Sequence, residues 1–222
     1  MRHICVLVEG QTEEIVVRDV LGPEFGDDVW LTPVILKTSR PAGNTAGKGG
    51  VSAWRKIERD LRLLLRNPAY HRVTTLIDYY GLPGDAPGMD DIPAGTPHTR
   101  VEHVERAIHR ALDDNPRFIP NLVLHETETW VFAAAKELGE LLGRPDVADA
   151  LRKQAERAGG PELVNGGKET APSKRVLATY PGYRKTHDGP LAIAAYGLTA
   201  LRRDCPRLDA WVVRLLGDDR AV

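Results

Sequence analysis

In residues 4–14, ICVLVEGQTEE, a continuous apolar run ends in a glutamate and a glycine, and residues that favour a helix start follow. An apolar run of this kind is typical of a strand buried on both faces, as in a parallel sheet. Glu9 is therefore expected at the carboxyl end of the first strand, where open α/β sheets place their chemistry. Gly10 permits the tight turn, and Thr12 is suited to cap the helix that follows.

The composition is that of an ordinary globular protein. The 222 residues are 42% hydrophobic and 27% charged, and the formal net charge is −1. Cys5 and Cys205 are the two cysteines, and their spacing matches neither a metal knuckle nor a disulfide framework. The sequence has no long uncharged apolar stretch and no basic-plus-apolar leader, so we expect a soluble cytoplasmic protein with no membrane segment. The oligomeric state stays open.

Strand and helix patterns alternate in the first part of the chain. After the first strand, the pattern predicts strands at 30–36, 73–77 and 118–124 and helices at 12–21, 51–66 and 99–112. This alternation is typical of right-handed crossovers and of a mostly parallel, Rossmann-like sheet flanked by helices. The predicted fold class is therefore α/β.

The rest of the chain has helical patterns throughout, at 138–142, 147–155, 173–180, 191–203 and 208–216. We expect residues 1–135 to form the α/β core and residues 136–222 to form a helical C-terminal cap packed on it, the two making one structural unit. The loops at 38–50 and 81–98 are expected to set specificity.

Acidic residues follow several of the predicted strands. Glu9 follows the first, Asp78 the third, and Glu126 and Glu128 the fourth. Parallel strands end at the same edge of a sheet, so these carboxylates are expected to converge there. Convergent carboxylates repel one another unless a cation lies between them, and oxygen ligands favour Mg²⁺ or Mn²⁺ over zinc. The sequence therefore predicts a hard-metal site.

Four motifs in order resemble a known pattern. They are V-E-G-Q-T-E-E, D-Y-Y-G-L-P, H-E-T-E-T-W, and A-P-S-K-R followed by Y-x-K-x-x-x-G. From residue 3 to about 213 the chain resembles a bacterial Toprim-like family of unknown function. Toprim domains occur in topoisomerases, bacterial-type primases and the overcoming-lysogenization-defect nucleases. The resemblance implies a Toprim-like core.

The resemblance also implies metal-dependent chemistry on a phosphodiester. It makes Glu9 and Asp78 metal ligands and Glu13 a ligand of a second site, and members of the family are often partners of ATPases in phage defence. The chain departs from the Toprim Asp-x-Asp pattern, because Tyr80 replaces the second aspartate. Glu128 or Glu126 is then the candidate for the missing carboxylate.

Other candidate residues are basic. His125 is a candidate general base. Lys174 and Arg175 stand at a predicted helix start, where bare amides bind anions, and are candidates to contact phosphate. Lys185 and His187 extend this basic segment as further phosphate candidates.

Structural explanations stay open for several of these residues. Glu126 and Glu128 also suit the first turn of a helix, where carboxylates are stabilising without a catalytic role. His125 also suits a structural hydrogen bond, and Lys174 and Arg175 suit an exposed helix face.

The predicted function is a divalent-metal-dependent nuclease or related phosphoryl-transfer enzyme, acting on DNA or RNA in phage defence or DNA processing. Two alternatives remain: a non-catalytic sensor or interaction subunit of an ATPase-containing defence system, and a small-molecule phosphohydrolase. The weak overall charge disfavours tight autonomous binding of duplex DNA, whose affinity depends on phosphate contacts.

Overall fold

The structure is a computed structural model that describes residues 1–36, 53–165 and 167–217. The predicted loop at 38–50 lies outside these residues. The strands are β1 Arg2–Val8, β2 Val29–Ile35, β3 Arg72–Asp78, β4 Phe118–Ile119 and β5 Leu122–Val123. The helices are α1 Gln11–Ile15, α2 Gly22–Glu24, α3 Ala53–Arg66, α4 Pro97–Ala111, α5 Thr129–Ala133, α6 Ala135–Leu142, α7 Pro145–Ala158, α8 Pro172–Thr179, α9 Asp188–Tyr196, α10 Leu198–Asp204 and α11 Pro206–Leu216.

The sheet is parallel, which confirms the predicted α/β fold class. Its order is β2-β1-β3-β4, and β5 continues the pairing along β3 after β4 ends. Each crossover carries helices to a face of the sheet, as the alternating pattern requires. The carboxyl ends of β1, β3 and β5 consequently lie at one edge.

Both faces of the sheet are covered, because side chains of β1 alternate between two hydrophobic clusters. Ile4, Val6 and Val8 pack with the C-terminal helices, whereas Cys5 and Leu7 pack with α3 and α4. This two-sided burial explains why β1 is an unbroken apolar run.

The C-terminal helices share a core with the sheet. In α11, the indole Nε1 of Trp211 donates a hydrogen bond to Thr74 Oγ1 in β3 at 2.9 Å. The boundary predicted after residue 135 falls inside α6, and the division into a core and a cap stays a prediction. Among the described residues, no helix is both long enough and apolar enough to span a membrane.

Two predicted elements are interrupted. The strand expected at 118–124 is split at Pro120, which has no N–H for the ladder; Asn121 instead bonds Thr75, its N–H donating to Thr75 Oγ1 at 2.9 Å. The helix expected at 191–203 divides into α9 and α10 at Gly197, whose φ of +80° lies in the left-handed region that favours glycine.

One predicted helix end was wrong. The helix from residue 12 does not stop at Gly22-Pro23, because a six-residue π-helix, Val16–Leu21, joins α1 to α2. Pro23 lies in α2, directly after the π-helix, so the helical segment continues through the proline instead of ending before it.

Where the last strand is split, a buried ion pair takes the place of backbone hydrogen bonds between strands. Glu105 of α4 is 5% exposed and accepts a hydrogen bond from the backbone N–H of Leu122 at 2.8 Å. The same carboxylate oxygen accepts from Arg207 of α11. Glu105 therefore links α4 and α11 to the edge of the sheet.

We predict that Glu105→Ala lowers the free energy of unfolding by about 3–5 kcal/mol, because it leaves a buried N–H and a buried guanidinium without their acceptor. Urea denaturation measures this loss. Glu102→Ala, on the same helix with its side chain 54% exposed, is the control and should cost about 1 kcal/mol or less. Equal losses in both variants would contradict this account.

Candidate functional site

The acidic residues predicted from the sequence meet at the carboxyl edge of the sheet. Glu9 follows β1, and Asp78 is the last residue of β3. Glu13 is in α1, and Glu126 and Glu128 lie between β5 and α5. Their charges act on one another: Glu13 and Glu126 raise the pKa of Glu9, and Glu9, Glu13 and Glu128 raise that of Asp78, in each case after the larger effect of burial.

Glu9 is the solvent-facing member of this acidic group. The residue as a whole is exposed, but its carboxylate lies against Gly81, where an added Cβ would overlap it. This partial burial is the first reason that the pKa of Glu9 is raised, although Lys185 and a backbone hydrogen bond at Asp78 oppose the shift. Glycine at position 81 therefore provides the space that the Glu9 carboxylate occupies.

Thr127 connects two of the buried acids. Its backbone N–H donates to Asp78 Oδ1 at 2.8 Å. Its hydroxyl lies 2.9 Å from the same Asp78 oxygen and 3.1 Å from Glu13 Oε1. The other Glu13 oxygen accepts the Gly10 N–H at 3.0 Å. The hydroxyl has one proton, which the two carboxylates share, so Thr127 bridges Asp78 Oδ1 and Glu13 Oε1 while its backbone N–H holds Asp78 Oδ1.

Glu128 is buried with weaker support. It is 1% exposed, and neither carboxylate oxygen has a well-aligned hydrogen-bond donor among the residues that the structure describes, although the Lys185 ammonium and a backbone N–H at Glu128 oppose the rise of its pKa. Lys185 Nζ lies 3.2 Å from Glu128 Oε2, close enough for an ion pair but not aligned as a hydrogen bond, and 3.9 Å from Asp78 Oδ2. A single ammonium therefore stands between the two acids.

The titration of these groups follows from burial and charge. Burial raises the pKa of Glu128, with a further rise from Glu126, while Lys185 opposes both effects. Burial alone would lower the pKa of Lys185, but Glu128 and Asp78 outweigh burial and raise it. The ammonium form of Lys185 is thus stabilised by the acids.

The oxygens that keep free lone pairs identify the ligands that a cation would use. They are Asp78 Oδ2, both oxygens of Glu128 and the carboxylate of Glu9. Within residues 1–36, 53–165 and 167–217, no three histidine, cysteine or acidic side chains are already arranged so that they could hold a metal ion. The donor chemistry nevertheless fits Mg²⁺ or Mn²⁺.

Glu126 has a structural partner. Its Oε2 accepts the backbone N–H of Ser173 at 2.8 Å, in the first turn of α8. The anion at this helix N-terminus is therefore supplied by the chain itself, as the helix dipole favours. A metal-ligand role for Glu126, through its other carboxylate oxygen, stays a prediction.

The structure separates the predicted phosphate residues. Lys185 lies among the acids, but Lys174 pairs with Glu169 at 2.9 Å and Arg175 donates to the Thr170 carbonyl at 2.7 Å. His187 lies 2.9 Å from the carboxylate of Asp188. A phosphate role for Lys174, Arg175 and His187 stays a prediction.

His125 is buried in a polar network beside the acids. Its Nε2 lies 3.0 Å from the Asn165 amide nitrogen, and the Tyr80 hydroxyl donates to the Asn165 amide oxygen. Burial, with a smaller effect of His98, lowers the pKa of His125 to about 4. A base of this strength is poorly matched to neutral pH, so the contacts favour a structural hydrogen bonder over the predicted general base.

Three residues of the site were missed as candidates, although the quoted motifs contain them. Thr127 is the third residue of H-E-T-E-T-W, and Gly81 is the glycine of D-Y-Y-G-L-P. Tyr183, which begins Y-x-K-x-x-x-G, is buried with its hydroxyl against Gly189, the glycine of that motif. A small hydroxyl residue between two acids was the available signal for Thr127.

Comparison with known proteins gives one result. The family model described as "Domain of unknown function (DUF4276)" matches residues 8–216. The chain belongs to the DUF4276 family. The searches of curated proteins and of solved structures found no match. The matched range of this DUF4276 chain contains every residue of the acidic edge, from Glu9 to Lys185.

We predict that His125 makes the protein less stable in mild acid. Its pKa in the folded protein, about 4, lies below the ordinary value of 6.5, so the unfolded chain binds the proton first as the pH falls. The stability from neutral His125 is complete above about pH 6.5 and is lost towards pH 4.

Between pH 7 and pH 5 this loss amounts to about 2 kcal/mol. His125→Gln should remove that part of the pH dependence in urea denaturation, whatever its effect at pH 7. His71→Gln, at an exposed position, is the control, and its free energy of unfolding should change with pH as in the native protein. If the free energy of unfolding changed with pH equally in His125→Gln and in the native protein, the prediction would be wrong, because folded His125 would then take up its proton as readily as in the unfolded chain.

Proposed function

We propose that the acidic edge binds a divalent metal ion, Mg²⁺ or Mn²⁺, and that the protein is a nuclease or related phosphoryl-transfer enzyme. The observation that carries the proposal is Glu128. A carboxylate that is 1% exposed, has no well-aligned hydrogen-bond donor among the described residues and faces a second buried acid is unfavourable unless cations compensate it. Lys185 supplies one positive charge, and a divalent ion would supply further positive charge to neutralise the acids.

The roles of the residues follow from their positions. Asp78, Glu128 and Glu9 would hold the ion, which when bound polarises a phosphoryl oxygen and lowers the pKa of water. Lys185 has a side chain that is 42% exposed and would move its ammonium from the acids to an oxygen of the phosphate. Glu13 would support Asp78 through Thr127. If Glu13 or Glu126 bound the ion directly, it would do so through carboxylate lone pairs that are not used in hydrogen bonds.

A polymeric phosphodiester suits the site better than a small enclosed substrate. Glu9 is exposed and Lys185 is partly exposed, so, among the residues that the structure describes, this edge is accessible to solvent. A net charge of −1 argues against tight autonomous binding of duplex DNA. We therefore propose DNA or RNA presented with the help of a partner, and keep a small-molecule phosphohydrolase as the less favoured alternative.

The Toprim resemblance supports the same proposal. It makes Glu9 and Asp78 ligands, and the structure has both at one edge of a parallel sheet. The second aspartate of the Toprim pattern is Tyr80, whose hydroxyl is directed to Asn165. Glu128, which follows the neighbouring strand, lies beside Asp78 and is the proposed replacement. A partner ATPase and a role in phage defence belong to the proposal through this resemblance, and a cytoplasmic location belongs to it through the sequence pattern alone.

One observation favours a second candidate function. The ammonium of Lys185 already lies between Asp78 and Glu128, so the acids are partly neutralised by the chain itself. A non-catalytic sensor subunit, which retains the fold and acts through a partner ATPase, would need no more than this. Cleavage distinguishes the two candidates, because the sensor retains the metal-binding fold without turnover.

We predict that Mn²⁺ or Mg²⁺ raises the melting temperature of the native protein. Binding to the folded state alone contributes about 2.7 kcal/mol when the free ion is at 100 times its dissociation constant. For a chain of this length each kcal/mol corresponds to about 2–4 °C. Asp78→Asn and Glu128→Gln, which keep the side-chain shape but remove the charge, should abolish the gain.

Glu162→Gln is the matched control for these substitutions. Glu162 is also buried, at 5% exposure, but accepts the backbone N–H groups of Arg207 and Leu208 away from the acidic edge. It should retain the full metal effect. An unchanged melting curve of the native protein in millimolar Mn²⁺ would refute the metal site.

Cleavage is tested separately. Plasmid, linear duplex, single-stranded DNA and RNA are incubated with the protein in Mn²⁺, and any cleavage should be lost in Glu128→Gln. Metal binding without cleavage of any of the four, with or without an ATPase encoded beside the protein, would favour the sensor over the enzyme.

A further inference from the structure

The hydroxyl of Thr127 is shared between two acids that belong to different elements. Thr127 is 1% exposed and precedes α5, whereas Asp78 ends β3 and Glu13 lies in α1. The hydroxyl is within hydrogen-bond distance of both carboxylates, and the backbone N–H of Thr127 donates a further bond to Asp78. One residue thus fixes the relative position of α1 and β3 at the acidic edge.

This arrangement settles which Asp78 oxygen is available. Oδ1 accepts the backbone N–H of Thr127 and shares the single hydroxyl proton of Thr127 with Glu13 Oε1, which restrains the Asp78 carboxylate, and Oδ2 is directed to the side of Lys185 and Glu128. Without the hydroxyl, Asp78 would keep a single bond to a backbone N–H, and Glu13 would lose the donor to its Oε1. The two carboxylates would then repel one another with nothing between them.

We infer that Thr127 is a positioning residue of the site: its hydroxyl holds Asp78 and Glu13 in the orientation that leaves Asp78 Oδ2 free for a metal ion. The inference rests on the proposed metal site and goes beyond it, since it assigns a role to a residue that carries no charge and does not touch the ion. Hydrogen bonds that orient metal ligands in this way typically contribute a factor of about 10–100 to metal affinity.

The test measures the dissociation constant for Mn²⁺ by the electron paramagnetic resonance of the free ion, which requires no activity. Thr127→Val keeps the branched shape and removes the hydroxyl, and it should weaken Mn²⁺ binding by about 10–100-fold. Thr127→Ser restores the hydroxyl and should bind within about threefold of the native protein. Should Thr127→Val fail to fold, Thr127→Ala removes the same hydroxyl with less bulk and carries the same expectation.

Thr74→Val is the matched control. Thr74 is also a buried threonine, and its hydroxyl donates to the Ile119 carbonyl and accepts from Trp211, earlier in β3. This variant should lose stability but keep the native Mn²⁺ affinity, which separates positioning from a general effect on the fold.

The outcomes distinguish the two proposals. Native affinity in Thr127→Val or Thr127→Ala, with Mn²⁺ bound by the native protein, would overturn the role of Thr127 and leave the metal site standing. Equal weakening in Thr74→Val would likewise overturn it, because the effect would then belong to the fold. No binding of Mn²⁺ to the native protein would overturn both.

Discussion

Several carboxylates are removed from water at one edge of the sheet, and this burial, more than their mutual repulsion, governs the acidic site. Asp78 and Glu128 are removed from water at the end of the sheet and face each other across the ammonium of Lys185. Burial and repulsion raise the pKa of both acids, which means that the folded state is strained in their charged forms. Proteins accept such strain chiefly where function requires it, and the surrounding contacts are arranged to contain it.

The order of strands and helices could be predicted from the sequence because it depends on local patterns. The run of residues 4–8 indicated a strand buried on both faces, and the structure has β1 between β2 and β3 with both faces covered. Interruptions were missed where a single residue overrides the pattern, as at Pro120 and Gly197. The π-helix between α1 and α2 has no sequence signature, since its wide turn depends on how the helix packs.

The acidic edge could be anticipated because the end of a parallel strand can be read from sequence, and Glu9 and Asp78 follow or end such strands. Which oxygens stay free could not be anticipated, because that depends on contacts between distant elements. Glu126 is held by Ser173, and Glu13 by Thr127, and neither pairing follows from spacing. The positions of the basic residues could not be anticipated either. Lys185 reaches the acids because buried Tyr183 and Asp188 anchor the turn that carries it. Lys174 instead pairs with Glu169.

The most direct measurement of the central claim is an anomalous-diffraction map from crystals soaked in MnCl₂. The account predicts a peak about 2.1–2.3 Å from Asp78 Oδ2 and from a Glu128 oxygen, with Glu9 turned towards it and Lys185 Nζ displaced from its position between the acids. A map with no peak at this edge, and with the Lys185 ammonium still between Asp78 and Glu128 at saturating Mn²⁺, would contradict it.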